Sequence, residues 1–206
     1  MKSEIISVHP DNPQTRLIKY IAGKILSGAI IVFPSDSGFS IGSALDNKTG
    51  VEKIRSIRNL SKNHDFTLML NSLSQIGEFA KLNNDAFRFI KRTGTGQFTF
   101  ILEATRTVPN RLTHPKKKTI GVRIPDNVFI QNLIAELSSP IMSVSLIIEG
   151  SEFFSAQDVV DKLQNRVDII VDSGYCLPTP TTVIDFTKDP YEVRRKGAGD
   201  TSAIFG

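Results

Sequence analysis

The chain has a single cysteine, Cys176, so no disulfide can close within one copy. Its three histidines, His9, His64 and His114, are scattered without the spacing of a zinc cage. No apolar run approaches the roughly 20 residues that a helix needs to cross a bilayer. Met1-Lys2-Ser3-Glu4 opens polar and acidic, with no continuous apolar stretch behind it, which argues against a secretion signal and predicts a cytoplasmic protein. There is no Gly-x-x-x-x-Gly-Lys-Ser/Thr loop and no Gly-x-Gly-x-x-Gly after the first strand-like run, so neither a Walker site nor a dinucleotide fold is suggested. Thr93-Gly94-Thr95-Gly96 precedes a strand-like run, not a helical one, and reads as a plain turn. Cys176 sits beside Tyr175 with no paired histidine motif to activate it as a nucleophile. Internal repeats and low-complexity stretches are absent as well.

What is present suits one domain spanning residues 1–206: the chain is long enough to bury a substantial core, and no linker divides it. A formal charge of +4 gives only a mild preference for polyanions, so the clustering of the cations says more. Lys53, Arg55, Arg58 and Lys62 form one group; Arg106, Arg111, Lys116, Lys117 and Lys118 form another. Lys116, Lys117 and Lys118 are candidate contacts to RNA phosphates, the plain alternative being a solvated loop.

Periodicity predicts a helix within Asp11 to Ser27, with Leu17, Ile18, Ile21, Ala22 and Ile25 on one face, Asp11 or Asn12 as cap and Gly28 as stop. Further helices are predicted over Thr49–Asn59, Leu73–Ala80, Asp85–Lys91, Asn127–Leu137 and Ala156–Leu163, with Ser72 and Asn84 among the caps. Strands are predicted over 29–33, ending at Pro34, and over 39–45, 66–70, 97–103, 119–124, 141–147, 167–171, 181–186 and 191–195. Phe98, Phe100 and Leu102 alternate with mostly polar partners, so that strand should have one wet face. Residues 60–65 are expected to form a mobile basic loop. This irregular interleaving predicts an α+β or α/β fold with a mixed sheet.

Five segments join strand-like runs to hydroxylated residues, glycine or arginine, which is what a site gripping phosphate or carboxylate needs at strand ends. They are Pro34 to Gly42, Ile57-Arg58-Asn59-Leu60 ahead of Phe66-Thr67-Leu68-Met69, Gly121-Val122-Arg123-Ile124-Pro125, Ser143-Val144-Ser145, and Pro180 to Asp185 followed by Val193 to Gly197. In this order, together with Val8-His9-Pro10 through Gln14 and Phe98 to Leu102, they resemble the YrdC-type domain of the threonylcarbamoyl-AMP synthase family, and within it the YciO branch. The resemblance covers essentially the whole chain and implies a single twisted mixed-sheet domain with a large open cavity of positive potential. It also implies the family's substrates, L-threonine, bicarbonate and ATP with Mg²⁺, with no tightly bound cofactor and no metal site of the protein's own. The product of active members feeds the t6A modification of tRNA, and binding of double-stranded RNA or tRNA is attributed to such domains. Oligomeric state is left open.

Carried over residue by residue, the resemblance makes Arg58 and Arg123 catalytic candidates. Arg58, Ser143, Ser145 and Arg195 become nucleotide-binding candidates; Ser35, Arg123 and Thr181 become amino-acid-binding ones. A guanidinium at Arg123 can hold a carboxylate bidentately, or it can form a structural salt bridge at the strand end. Ser35 and Asp36 can meet substrate or merely cap their turn. Matching Arg195-Lys196-Gly197 to the family's Arg-Pro-Gly turns Arg195 inward and Arg194 away.

Four positions depart from the family pattern: Leu60 where a second cation stands, Ile147 where an asparagine stands, His64 where an asparagine is common, and Met69 where many relatives place a histidine. An altered ligand or a weakened chemistry follows. Two functions remain open, a nucleotidyltransferase of the threonylcarbamoyl-AMP synthase type and a non-catalytic RNA-binding module of RNA maturation.

Overall fold

The period-two and period-3.6 patterns resolve into ten strands and six helices in the computed structural model, which describes residues 2–202. In chain order these are β1 (Glu4–Ser7), α1 (Thr15–Leu26), β2 (Ile31–Ser35), β3 (Gly38–Ala44), α2 (Lys48–Arg58), β4 (Thr67–Met69), α3 (Leu73–Phe79), α4 (Asn84–Thr93), β5 (Phe98–Glu103), β6 (Thr119–Arg123), α5 (Val128–Leu137), β7 (Ile141–Ser145), α6 (Ala156–Leu163), β8 (Ile169–Asp172), β9 (Thr182–Asp185) and β10 (Glu192–Arg195). All the strands join one mixed sheet in the order β1-β8-β2-β3-β7-β4-β6-β5-β9-β10. The α/β reading therefore holds, and the edge strand β1 is an addition to it.

Helix starts follow side-chain capping, with two adjustments. Asn47, Ser72, Asn127 and Ser155 each accept a backbone N–H from the first turn of α2, α3, α5 and α6. For α4 the cap is Asn83, one residue earlier than Asn84. Neither Asp11 nor Asn12 caps α1: the helix begins after Gln14, which makes no side-chain cap. The N–H groups of Asp11 and Asn12 instead donate to His9 Nδ1 at 3.2 and 3.1 Å, folding the chain over that imidazole. Gly28, at φ +95°, ends α1 as expected.

Pro34 does not end β2. It pairs with Phe39 of β3 on one side, while the parallel pairing of β2 with β8 covers only Ile31 and Val32. Beyond Val32 the strand has no second ladder, so the missing N–H of proline costs no bond.

Alternation along the strands sorts side chains into two layers. One face carries Val32, Ile41, Leu68, Phe100, Val122, Met142, Ile170 and Ile184 into a large core that includes residues of α2, α3, α4 and α6. On the other face, Ile31, Phe33, Met69, Ile141, Ile169 and Val171 pack with α1 and α5. Among the described residues no helix supplies core residues over the remaining part of that second face, where Thr67, Thr99, Gly121, Ser143 and Val183 stand on β4, β5, β6, β7 and β9. The wet face expected for β5 is this uncovered patch.

Candidate functional site

The uncovered part of the sheet is the floor of a cavity of about 380 Å³. Its middle is one rung of the sheet: Ser143 of β7 opposes Thr67 of β4, which opposes Gly121 of β6, which opposes Ile101 of β5. A Cβ at Gly121 would lie 2.8 Å from Thr67 Oγ1 and 3.0 Å from the Phe66 carbonyl, so only glycine keeps the floor flat there. The next rung places Met69 opposite Arg123, and Ser40 of β3 faces Ser145 of β7. Residues 61 and 63–65, which follow α2, form a wall with Arg58. The segment is a loop, as expected, and Arg55 engages both its ends: Nη1 donates to the Ser61 carbonyl at 2.9 Å, and the guanidinium lies 4.6 Å from the centroid of the Phe66 ring.

Three arginines line the cavity, and their partners differ. Arg123 is 3% exposed and fully engaged. Its Nη2 lies 2.7 Å from Asp36 Oδ1, its Nη1 donates to Ser37 Oγ at 2.6 Å, and Nε and Nη2 donate to the Gly96 carbonyl at 3.2 and 3.1 Å. The salt-bridge alternative thus describes its present contacts. Arg58, at the end of α2, donates only Nε, to the Ser145 carbonyl at 2.7 Å. Arg195 donates Nε to the Thr181 carbonyl at 3.0 Å and Nη2 to Thr181 Oγ1 at 3.1 Å. Both Nη groups of Arg58 and Nη1 of Arg195 have no protein acceptor among the described residues. Burial pulls the pKa of all three guanidinium groups down, Asp36 opposing the fall at Arg123. Arginine nevertheless stays charged in a protein, so these are cations held partly out of water.

The orientation expected at β10 is realised. A bulge between Val193 and Arg195 turns Arg195 into the cavity, while Arg194 pairs with the buried Asp185 at 2.9 Å. Ser143, Ser145 and Thr181 are also on the lining; Ser143 Oγ reaches the Thr67 carbonyl at 3.4 Å, and the Thr181 and Thr99 hydroxyls meet at 2.8 Å. Ser35 is not. Its hydroxyl donates to the Gly38 carbonyl at 2.7 Å and accepts from the Ser37 N–H, so it serves the turn, and Ser37 is the hydroxyl of this segment that meets Arg123. Lys116, Lys117 and Lys118 are exposed on the turn before β6 and line no part of the cavity. Leu60 packs against the large core, whereas Ile147, 54% exposed, lines the cavity directly.

Ser40 and Thr67 fall in segments the sequence singled out but were not named as site residues, and Asn63, Asp65 and Thr99 were missed as lining residues. The signal was available for three positions: Thr67, Thr99 and Ser143 each precede an apolar residue, Leu68, Phe100 and Val144, that belongs to the large core. The partnership of Arg123 with Asp36, across 87 positions of chain by number (36 and 123), had no local signature. No group of His, Cys, Asp and Glu side chains suited to a metal ion occurs among the described residues.

Comparison with known proteins agrees with this architecture. The sequence model of the Sua5/YciO/YrdC family, described as telomere recombination, matches residues 24–197. Over 200 residues the chain is 42% identical to YciO of Escherichia coli K12, covering 96% of this chain and 97% of that protein. The crystal structure of E. coli YciO superposes with a TM-score of 0.95, at 41% identity, over 98% of this chain and 99% of that one. A putative threonylcarbamoyl-AMP synthase of Methanocaldococcus jannaschii is 28% identical over 202 residues, 96% of this chain and 94% of that protein. The crystal structure of Pyrococcus abyssi Sua5 complexed with L-threonine matches with a TM-score of 0.86 and 26% identity, over 95% of this chain and 58% of that one.

Proposed function

The chain belongs to the Sua5/YciO/YrdC family, and from that premise we propose that its cavity binds ATP with Mg²⁺ and an amino acid of the threonine type, and supports a slow synthesis of threonylcarbamoyl-adenylate. The observation that carries this reading is the convergence of Arg58, Arg123 and Arg195 with the hydroxyls of Ser143, Ser145 and Thr181 on one cavity. In the reaction the amine of L-threonine adds to the carbon of bicarbonate with loss of water, giving a carbamate. A carbamate oxygen then attacks the α-phosphorus of ATP and pyrophosphate leaves. Positive groups fixed where charge spreads over phosphate oxygens carry most of such a transfer.

The free N–H groups of Arg58 and Arg195 suit that role, because each guanidinium is oriented by a backbone carbonyl and still has donors to offer. Arg123, held by Asp36, Ser37 and Gly96, fixes the end of the floor and contacts the amino-acid carboxylate only by exchanging a partner. The rate is low for a stated reason. Leu60 packs against the core and offers no charge, and Ile147 presents an alkyl group to the cavity. Each lost transition-state contact is worth about 2–4 kcal/mol, so the two together lower turnover by several powers of ten.

Pyrophosphate release in the presence of ATP, Mg²⁺, bicarbonate and L-threonine tests this reading. Release that requires threonine and is abolished in Arg58→Ala supports it; none from folded protein overturns the catalytic part. The exposed turn bearing Lys116, Lys117 and Lys118 favours a second reading, RNA binding outside the cavity. In that case binding of a short RNA duplex falls steeply with salt and is lost when the three lysines become alanine, whatever happens at Arg58.

A further inference from the structure

Of the four departures from the family pattern, His64 is placed to act in the cavity. It lies on the wall that follows α2, on the lining with Arg58 and Asp65. Its ring stands edge-on to Phe66, with centroids 6.0 Å apart and planes at 88°, which holds the imidazole against an apolar neighbour. Neither ring nitrogen has a hydrogen-bond partner among the described residues, whereas the imidazoles of His9 and His114 both accept backbone N–H groups through Nδ1. Leu60, four positions earlier, is half-buried and packs against the large core. The wall therefore has one permanent cation, Arg58, and one unpartnered, protonatable ring.

We propose that His64 is a second anion contact of this cavity, neutral when the cavity is empty and protonated when a phosphate-type anion binds beside Arg58. The inference rests on the reading of the cavity as an anion site. The charged groups that face His64 account for both states. Burial holds its pKa below that of a free imidazole; Asp65 opposes this, and Arg58 and Arg55 add to it by charge repulsion. Lys53 and Lys62 are exposed cations of the same helix and wall segment. Arg123 and Arg195 line other parts of the cavity. An anion seated at Arg58 cancels the repulsion and offers an acceptor, so both causes then favour the imidazolium. By linkage, each unit by which the anion raises the pKa of His64 tightens binding about tenfold at a pH below both values, and not at all above them.

The measurement is a ¹H–¹³C NMR titration of the histidine ring signals from pH 5 to 8, in sodium sulfate and in sodium chloride at matched ionic strength. Sulfate stays a dianion throughout, so any change belongs to the protein. His64→Gln assigns the signal. The expected result is a His64 pKa below the usual imidazole value in chloride and higher by half a unit or more in sulfate, with His9 and His114 unmoved. Arg58→Ala should raise the chloride value and shrink the sulfate effect. A saturable response of cavity amide signals to sulfate with no change in the His64 pKa overturns the inference and leaves the anion site standing. No saturable response at any cavity amide overturns both.

Discussion

Replacing Asp36 by alanine is the perturbation whose outcome the structure specifies most closely. The Asp36 side chain is 16% exposed and that of Arg123 4%, with 2.7 Å between Oδ1 and Nη2. Asp36 Oδ2 also accepts the backbone N–H of Asp126 at 2.9 Å, so one side chain joins the β2–β3 turn to the segment after β6. Removing it leaves a cation inside the protein with no counter-charge and takes the acceptor from a backbone donor. Breaking one half of a buried pair costs about 3–5 kcal/mol, a large part of the roughly 5–15 kcal/mol that holds a domain folded. Urea unfolding followed by circular dichroism reads this as a fall in midpoint with an unchanged slope. The companion Arg123→Met is expected to be costly alone, and the double variant much less destabilised than the two losses added, because neither charge is then stranded. A loss below about 1 kcal/mol for Asp36→Ala, or simple additivity in the cycle, would refute the view of Arg123 as a residue held by its buried ion pair with Asp36.

Two further outcomes follow from the same geometry. Gly96 sits at φ +90°, its carbonyl takes two N–H groups of Arg123, and a Cβ there would lie 3.0 Å from Asp126 Cβ and 3.1 Å from Asp36 Oδ2. Gly96→Ala should therefore destabilise by about 1–3 kcal/mol in the same urea assay, where Gly94→Ala, with nothing within 4 Å of the added carbon, loses only the conformational part. Ile147→Asn is a change at a half-exposed position, so the unfolding midpoint should move by no more than about 0.5 kcal/mol. Combined with Leu60→Arg it should raise pyrophosphate release, provided the arginine leaves the core packing that Leu60 now makes; no gain from a folded double variant would contradict the account of the slow rate.

Much of this was readable in the chain because local and global signals agreed. The helix of α6 and the alternation of β5 are set by side chains a few positions apart, and the family resemblance carried the expectation of one twisted mixed sheet. Arg195 was turned inward correctly, although the bulge that accomplishes this leaves no mark in sequence. What stayed hidden depends on distant pairing. Strand β1 is four residues at the sheet edge whose one ladder is with β8, far along the chain, and nothing in Glu4 to Ser7 announces that partner. Pro34 read as a stop because the open side of β2 is a property of the sheet. For Ser35 and Arg123 the sequence offered both a ligand role and a structural one, and which groups engage them, the Gly38 carbonyl and Asp36, is set by the turn and by pairing across the fold.

Anions are expected to bind inside the cavity, at Arg58 and Arg195, and not on the lysine turn. Isothermal titration of ATP with Mg²⁺ against the unaltered protein, Arg195→Gln and the variant with alanine at 116, 117 and 118 addresses it directly. The expected result is saturable binding that weakens about tenfold or more in Arg195→Gln and is unchanged in the lysine variant. Binding that survives at Arg195 and is lost with the lysines would contradict it.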